Sequence, residues 1–217
     1  MISPDRIHAA VQPSDTLIVM LPGALMTPQH FIDAGFDTAL TRSPHAADLQ
    51  LAALDVYHLD IAASVAALHL DVIQPARQRG YRRIVLGGIS LGGGVALHYA
   101  RTYPGAADGL CLLAPYPGSR LTTNAIRAGG GLGCWQPSAE QVRDPEFQLW
   151  HWLASGATLP IYLGYGREDR FADDLGVMAA ALPAAQVHAV DGGHDWPAWC
   201  ALWNNFLATG LPGLWQD

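Results

Sequence analysis

The sequence predicts a three-layer α/β/α architecture, a mainly parallel six-stranded sheet with helices on both faces. Three observations carry this. Short continuous apolar runs alternate with segments of helical period, the pattern of strands buried on both faces. Glycine and proline punctuate the boundaries between them. At 83–100 an apolar run passes through a Gly-rich junction directly into a helical pattern, as a crossover connection requires. The 217 residues suit one domain spanning 1–217, and with 50% apolar residues the chain can build a proper core.

Each element has its own justification. Thr16 to Leu21 (Thr-Leu-Ile-Val-Met-Leu) reads as the first strand. Its start near residue 16 leaves no room for antiparallel strands before it. Thr27-Pro28 then opens a helix with a cap residue and a proline in the first turn, and the apolar positions carry it towards Arg42. Leu51 to Val56 is a second strand. A longer helix starts at Ser64, is expected to kink at Pro75 and stops at Gly80. The strand Ile84–Ile89 and the helix after it close at Tyr103-Pro104-Gly105, and Gly109 to Ala114 is a fourth strand. Residues 115–159 break the alternation: a cap-like insert with a helix from Ser138 to Ala154. Pro160 to Tyr165, a helix from Phe171 to Leu182, a strand Gln186 to Val190 and a helix from Trp196 to Leu207 complete the chain.

Composition narrows the function. A net charge of −7 speaks against a nucleic-acid or anionic-membrane partner. The one dense basic patch, Arg77, Arg79, Arg82 and Arg83, reads as the solvated end of a helix. No lysine occurs anywhere, which excludes a P-loop, a Schiff-base lysine and a Ser-Lys hydrolase. The N-terminus has no apolar core of signal-peptide length. Cys111, Cys134 and Cys200 are odd in number and match no metal spacing, so a reducing, cytoplasmic setting is expected, with no metal and no cofactor.

The chemistry starts at Gly88-Ile89-Ser90-Leu91-Gly92, a G-x-S-x-G elbow between a strand and a helix. A serine on so sharp a turn needs neighbours without a Cβ, and it stands where free N–H groups and the helix dipole favour negative charge. Two later strands run into Arg167-Glu168-Asp169 and Asp191-Gly192-Gly193-His194. The order Ser90, Asp169, His194, each just past a strand's carboxyl end, resembles that of serine hydrolases of the α/β-hydrolase fold, over nearly the whole chain. Small carboxylesterase- and phospholipase-like members are the nearest kind, here a minimal version with a small cap or none.

The resemblance implies a nucleophile at Ser90, an orienting acid at Asp169 and a base at His194. Glu168 and Asp195 are rival acids, the first expected to point to solvent and the second to cap the last helix. The oxyanion hole it implies uses the N–H of Leu91 and one from the turn Pro22-Gly23-Ala24-Leu25, with Ala24 preferred over Leu25. Many relatives have His-Gly where this chain has Pro22-Gly23; only an N–H is required there.

Leu25, Trp135 and Trp196 are candidate substrate contacts, although Trp135, Trp150, Trp152, Trp196 and Trp199 equally suit plain packing. Arg120 and Arg127 read as solvated, His98 as a packing residue, and His30 lies near the expected site. The reading is a metal-free serine hydrolase acting on a small-molecule carboxylic ester through an acyl-enzyme. A thioesterase, lipase or amidase would use the same triad, and a non-catalytic binding protein on this fold is the reading of another class.

Overall fold

The computed structural model describes residues 2–8 (backbone alone for 2–7), 14–54, 60–183 and 186–211. Val56, the expected end of the second strand, lies outside the described residues. In chain order the elements are β1 (Ile2–His8), β2 (Thr16–Leu21), α1 (Pro28–Asp33), α2 (Phe36–Arg42), β3 (Asp48–Leu54), α3 (Ile61–Leu68) and α4 (Gln74–Gln78). There follow β4 (Arg83–Ile89), α5 (Leu91–Thr102), β5 (Gly109–Leu113), α6 (Arg120–Ala128), α7 (Pro145–Ala154), β6 (Ile161–Gly166), α8 (Ala172–Ala179), β7 (Val187–Val190) and α9 (Trp196–Thr209).

The sheet runs β1-β3-β2-β4-β5-β6-β7. The six predicted strands are present and all parallel, with β2, β4 and β5 almost wholly buried. A seventh strand was not foreseen. β1 pairs antiparallel with β3, from Ile2 opposite Leu54 to His8 opposite Leu49, so the segment before residue 16 does carry an antiparallel strand. The registers align the carboxyl ends: Leu21 beside Gly88, Ile89 beside Leu113, Leu113 beside Gly164 and Gly166 beside Val190. From β2 the chain goes first to β3 on one side and then to β4 on the other, so the switch in winding direction falls between β2 and β4. Ligands of open α/β sheets bind in the crevice at such a point.

Several local expectations change for physical reasons. The helix from Pro28 is broken at Gly35, whose φ of 80° lies in the left-handed region, and restarts at Phe36. The predicted kink at Pro75 is instead a π segment, His69–Ile73, joining α3 to α4. Pro75 has no N–H to give, and the widened turn lets the Gln74 N–H reach the His69 carbonyl. The turn also presents His69 to Tyr99, 2.9 Å from its hydroxyl, and stacks it on Tyr103 at 3.9 Å.

The insert has two helices. α6 starts on a Ser119 cap, and the predicted helix from Ser138 begins only at Pro145 because Asp144 accepts from the N–H groups of Glu146 and Phe147. Nor is the arginine patch simply solvated: Arg77 pairs with Asp108 at 2.6 Å and Arg83 with Asp15 at 2.9 Å. Among the described residues no helix is long and apolar enough to cross a membrane.

Candidate active site

Ser90 sits between β4 and α5 with φ 51° and ψ −114°, a conformation that costs a residue with a side chain on the order of 1–3 kcal/mol. The neighbours hold it there. Its N–H donates to the Leu113 carbonyl at 3.1 Å, and its carbonyl accepts from Gly94 at 3.1 Å and Tyr116 at 2.7 Å. A Cβ at Gly88 would fall 2.7 Å from the Leu21 carbonyl oxygen, and one at Gly92 would overlap that oxygen outright. The backbone after β2 is therefore pressed directly against the elbow.

Among the described residues three non-glycines have positive φ: Leu25, Ser90 and Ala114. They follow β2, β4 and β5, the three adjacent strands whose carboxyl ends surround the elbow. Strain of this kind gathers where the surrounding structure over-determines a functional geometry. Ala114, held by its N–H to the Gly164 carbonyl at 2.7 Å, turns the chain so that Tyr116 meets Ser90. Nothing in an alanine announces this in the sequence.

Asp169 lies just past β6 and His194 just past β7. Asp169 is 5% exposed, and its Oδ2 is 2.7 Å from His194 Nδ1. Its other oxygen accepts from the Phe171 N–H at 2.8 Å. A carboxylate fixed by two donors leaves the ring little rotational freedom, and with Nδ1–H donating, Nε2 carries the free lone pair. Phe171 and Trp199 meet the imidazole edge-on at 5.3 and 5.2 Å, and Tyr116 meets Phe171 at 5.7 Å. A continuous aromatic wall thus runs from the elbow to His194. The Ser90 hydroxyl makes no hydrogen bond to His194 in this structure.

The rival acids have other duties. Glu168 is exposed, as expected, and also accepts from the Gly192 N–H at 2.5 Å, which braces the turn leading to His194. Asp195 caps α9 through the Ala198 N–H at 3.1 Å. Leu91 is the first residue of α5, where an N–H has no partner within its helix. Among the described residues, the N–H groups of Ala24 and Leu25 donate no backbone bond either.

The proposed substrate contacts fare differently. Leu25 is 74% exposed, on the rim. Trp135 is buried in the insert, stacked on Phe147 at 5.8 Å, which fits packing and not substrate contact. Trp196 wedges between Phe31 and Phe36 at 5.8 and 6.1 Å, joining α9 to α1 and α2. His30 closes the cap of α1 by accepting from the Thr27 N–H. Arg127 is exposed, as expected, and also pairs with Asp174 at 2.5 Å, tying the insert to α8.

A cavity of about 710 Å³ opens beside the elbow. It starts at Leu91 and Tyr116, follows α5 past Gly94 and His98 to Arg101, and is walled by α3 and α7. Ser90 and His194 do not line it. It was not legible in the sequence, because α5 is buried from Gly92 to Ala100 and His98 there reads as an ordinary packing residue.

A parallel sheet with a strained serine elbow at its switch point and an Asp-His pair at the next strand ends defines the class: this is an α/β-hydrolase. Residues 69–210 match the family model described as "Putative esterase", and the chain belongs to that family, whose members are hydrolases acting on ester bonds. Among solved structures it is similar to a ferulic acid esterase, 14% identical over 91% of this chain and 85% of that one, TM-score 0.64. It also resembles fluorophosphonate-binding serine hydrolase F of Staphylococcus aureus, at 15% identity, 91% and 84% coverage and TM-score 0.64. A monoacylglycerol lipase of Paleococcus ferrophilus matches at 13% identity, 97% and 100% coverage and TM-score 0.63. At these identities the likeness is one of fold. No curated protein sequence matches.

Proposed function

We propose that the protein cleaves carboxylic esters through an acyl-enzyme, with Ser90 as nucleophile, His194 as general base and Asp169 as its orienting acid. The hydrogen bond from His194 Nδ1 to the buried Asp169 carries this reading. It leaves Nε2 to take the Ser90 proton as Oγ attacks the ester carbonyl. The oxyanion so formed is received by the N–H groups of Leu91 and Ala24. Collapse of that intermediate breaks the ester C–O bond, and the imidazolium returns its proton to the departing alkoxide. Water, deprotonated by His194, then releases the acid and restores Ser90.

Residues 115–159 act as a small cap-like insert within one hydrolase domain. The free Cys111, Cys134 and Cys200 favour a cytoplasmic setting.

The test compares wild type with Ser90→Ala on p-nitrophenyl esters of increasing acyl length, with mass spectrometry of a fluorophosphonate-treated sample. Turnover should fall by at least about 10⁴-fold in the variant, and the adduct should map to Ser90. Equal rates for the two proteins would refute the assignment. A maximum at long acyl chains would move the reading to a lipase or long-chain thioesterase.

A further inference from the structure

The cavity beside the elbow combines apolar walls, such as Leu149 and Trp150, with two polar side chains on one face of α5. Leu91, Gly94, His98 and Arg101 recur at helical spacing, so they line up along it. From Leu91 to Arg101 the helix rises roughly 15 Å. A long side chain on a helix leans back towards its N-terminus, which brings the guanidinium towards His98.

Both polar groups are short of partners. His98 is 7% exposed and its ring makes no hydrogen bond among the described residues. The Nε of Arg101 is buried without an acceptor, and Arg101 forms no ion pair among the described residues. Buried polar groups nearly always find partners, so the orphaned Arg101 Nε, on the same cavity wall as an unbonded imidazole, marks a place where a ligand brings the acceptor. Burial, reinforced by Arg101, pushes the His98 imidazole down to about 4, against a weaker opposing pull from Glu146. It is therefore neutral at physiological pH and adds one N–H donor to the charge of Arg101.

Three carboxylates also face the cavity, and each is already engaged. Asp60 accepts from Ala63, Asp144 from Glu146 and Phe147, and Glu146 from the Ser119 N–H and the Thr122 hydroxyl. Asp60 and Asp144 are moreover exposed and screened by water. These bonds fix the carboxylates in place without cancelling their charge, and Arg101 is the one cation in the cavity wall.

We propose that this cavity receives the acyl chain of the substrate, and that His98 and Arg101 are specificity-determining residues for acyl groups ending in a carboxylate. This deepens the ester-hydrolase reading and rests on it. The chain would leave the scissile carbonyl at Ser90, pass Leu91 and Tyr116, and place its terminal oxygens between the imidazole and the guanidinium.

The experiment compares kcat/KM for the p-nitrophenyl monoester of octanedioic acid and for p-nitrophenyl octanoate, in wild type, Arg101→Leu and Arg101→Lys. Wild type should favour the carboxylate-ended ester by about tenfold or more, through KM, as a charge-assisted hydrogen bond would. Arg101→Leu should abolish the preference and Arg101→Lys should keep part of it, with circular dichroism melting to verify that each variant is folded. Equal rates, a preference for octanoate or for a trimethylammonium-ended ester, or a preference surviving Arg101→Leu would each overturn the proposal. Calorimetric titration of monomethyl octanedioate into Ser90→Ala separates the two readings, since it needs no turnover. Adding Arg101→Leu should weaken that binding about tenfold or more, and no binding or unchanged binding would sink the proposal even if Ser90 proved not to be the nucleophile.

Discussion

His98 should make the protein lose stability in mild acid. It is 7% exposed in the wall of the cavity, and burial is the chief reason its imidazole is pushed down from 6.5 to about 4. Between these two values the unfolded chain binds a proton at this position and the folded chain does not. Stability from this group is thus complete above 6.5, declines as the pH falls, and is gone below about 4. At about 1.4 kcal/mol per pH unit the full loss comes to about 3 kcal/mol, a large share of the stability of an ordinary domain. Other groups titrate in the same range, so the quantity to follow is the difference between wild type and His98→Gln in urea unfolding free energy. That difference should fall by about 3 kcal/mol from neutral pH to pH 4 and then level off. A flat difference across that range would show that the folded protein tolerates a charged imidazole there, and the account of the cavity wall as a desolvated surface would be wrong.

Three further outcomes are expected. Gly92→Ala should destabilise by about 3 kcal/mol or more, because the added methyl overlaps the Leu21 carbonyl and neither backbone can retreat; an unchanged urea midpoint would refute this. Asp169→Asn should lower kcat roughly 10⁴-fold with little change in KM, by favouring the wrong tautomer of His194; a loss confined to KM would assign Asp169 to substrate binding. Arg127→Ala leaves Asp174, whose side chain is 9% exposed, without its cation. The cost is about 1–2 kcal/mol, reduced from the fully buried case by the water that reaches Arg127, and it should appear as a lower thermal midpoint.

The parts of the fold that could be read from the sequence are those where burial is two-sided. A strand such as Gly109–Leu113 has helices over both faces and so carries no polar position to obscure it. β1 is the opposite case. Ile-Ser-Pro-Asp-Arg-Ile-His has neither alternation nor an apolar run, because an edge strand needs neither. α6 was hidden for a related reason: its buried side is made of Thr122, Thr123 and Ile126, and two threonines do not look like a core. In the site, Ser90, Asp169 and His194 could be named because chain order and strand ends are properties of the sequence. The strained Ala114, the Phe171 and Trp199 walls and the Glu168 brace could not, since each depends on how close two distant segments come. Trp135 misled because an indole suits a pocket and a core equally well.

The unforeseen first strand also bears on what the molecule avoids. Without it, β3 would end the sheet, offering Leu49 to Leu54 as a bare row of amide and carbonyl groups on a largely apolar strand, an open template for another polypeptide. β1 covers that template and is itself a poor one. Its pairing slips between Pro4 and Ile7, and a proline has no amide hydrogen to offer a newcomer. The irregular strand that is hardest to recognise in the sequence thus serves as a selvedge, a finished border from which the fabric of the sheet cannot be extended.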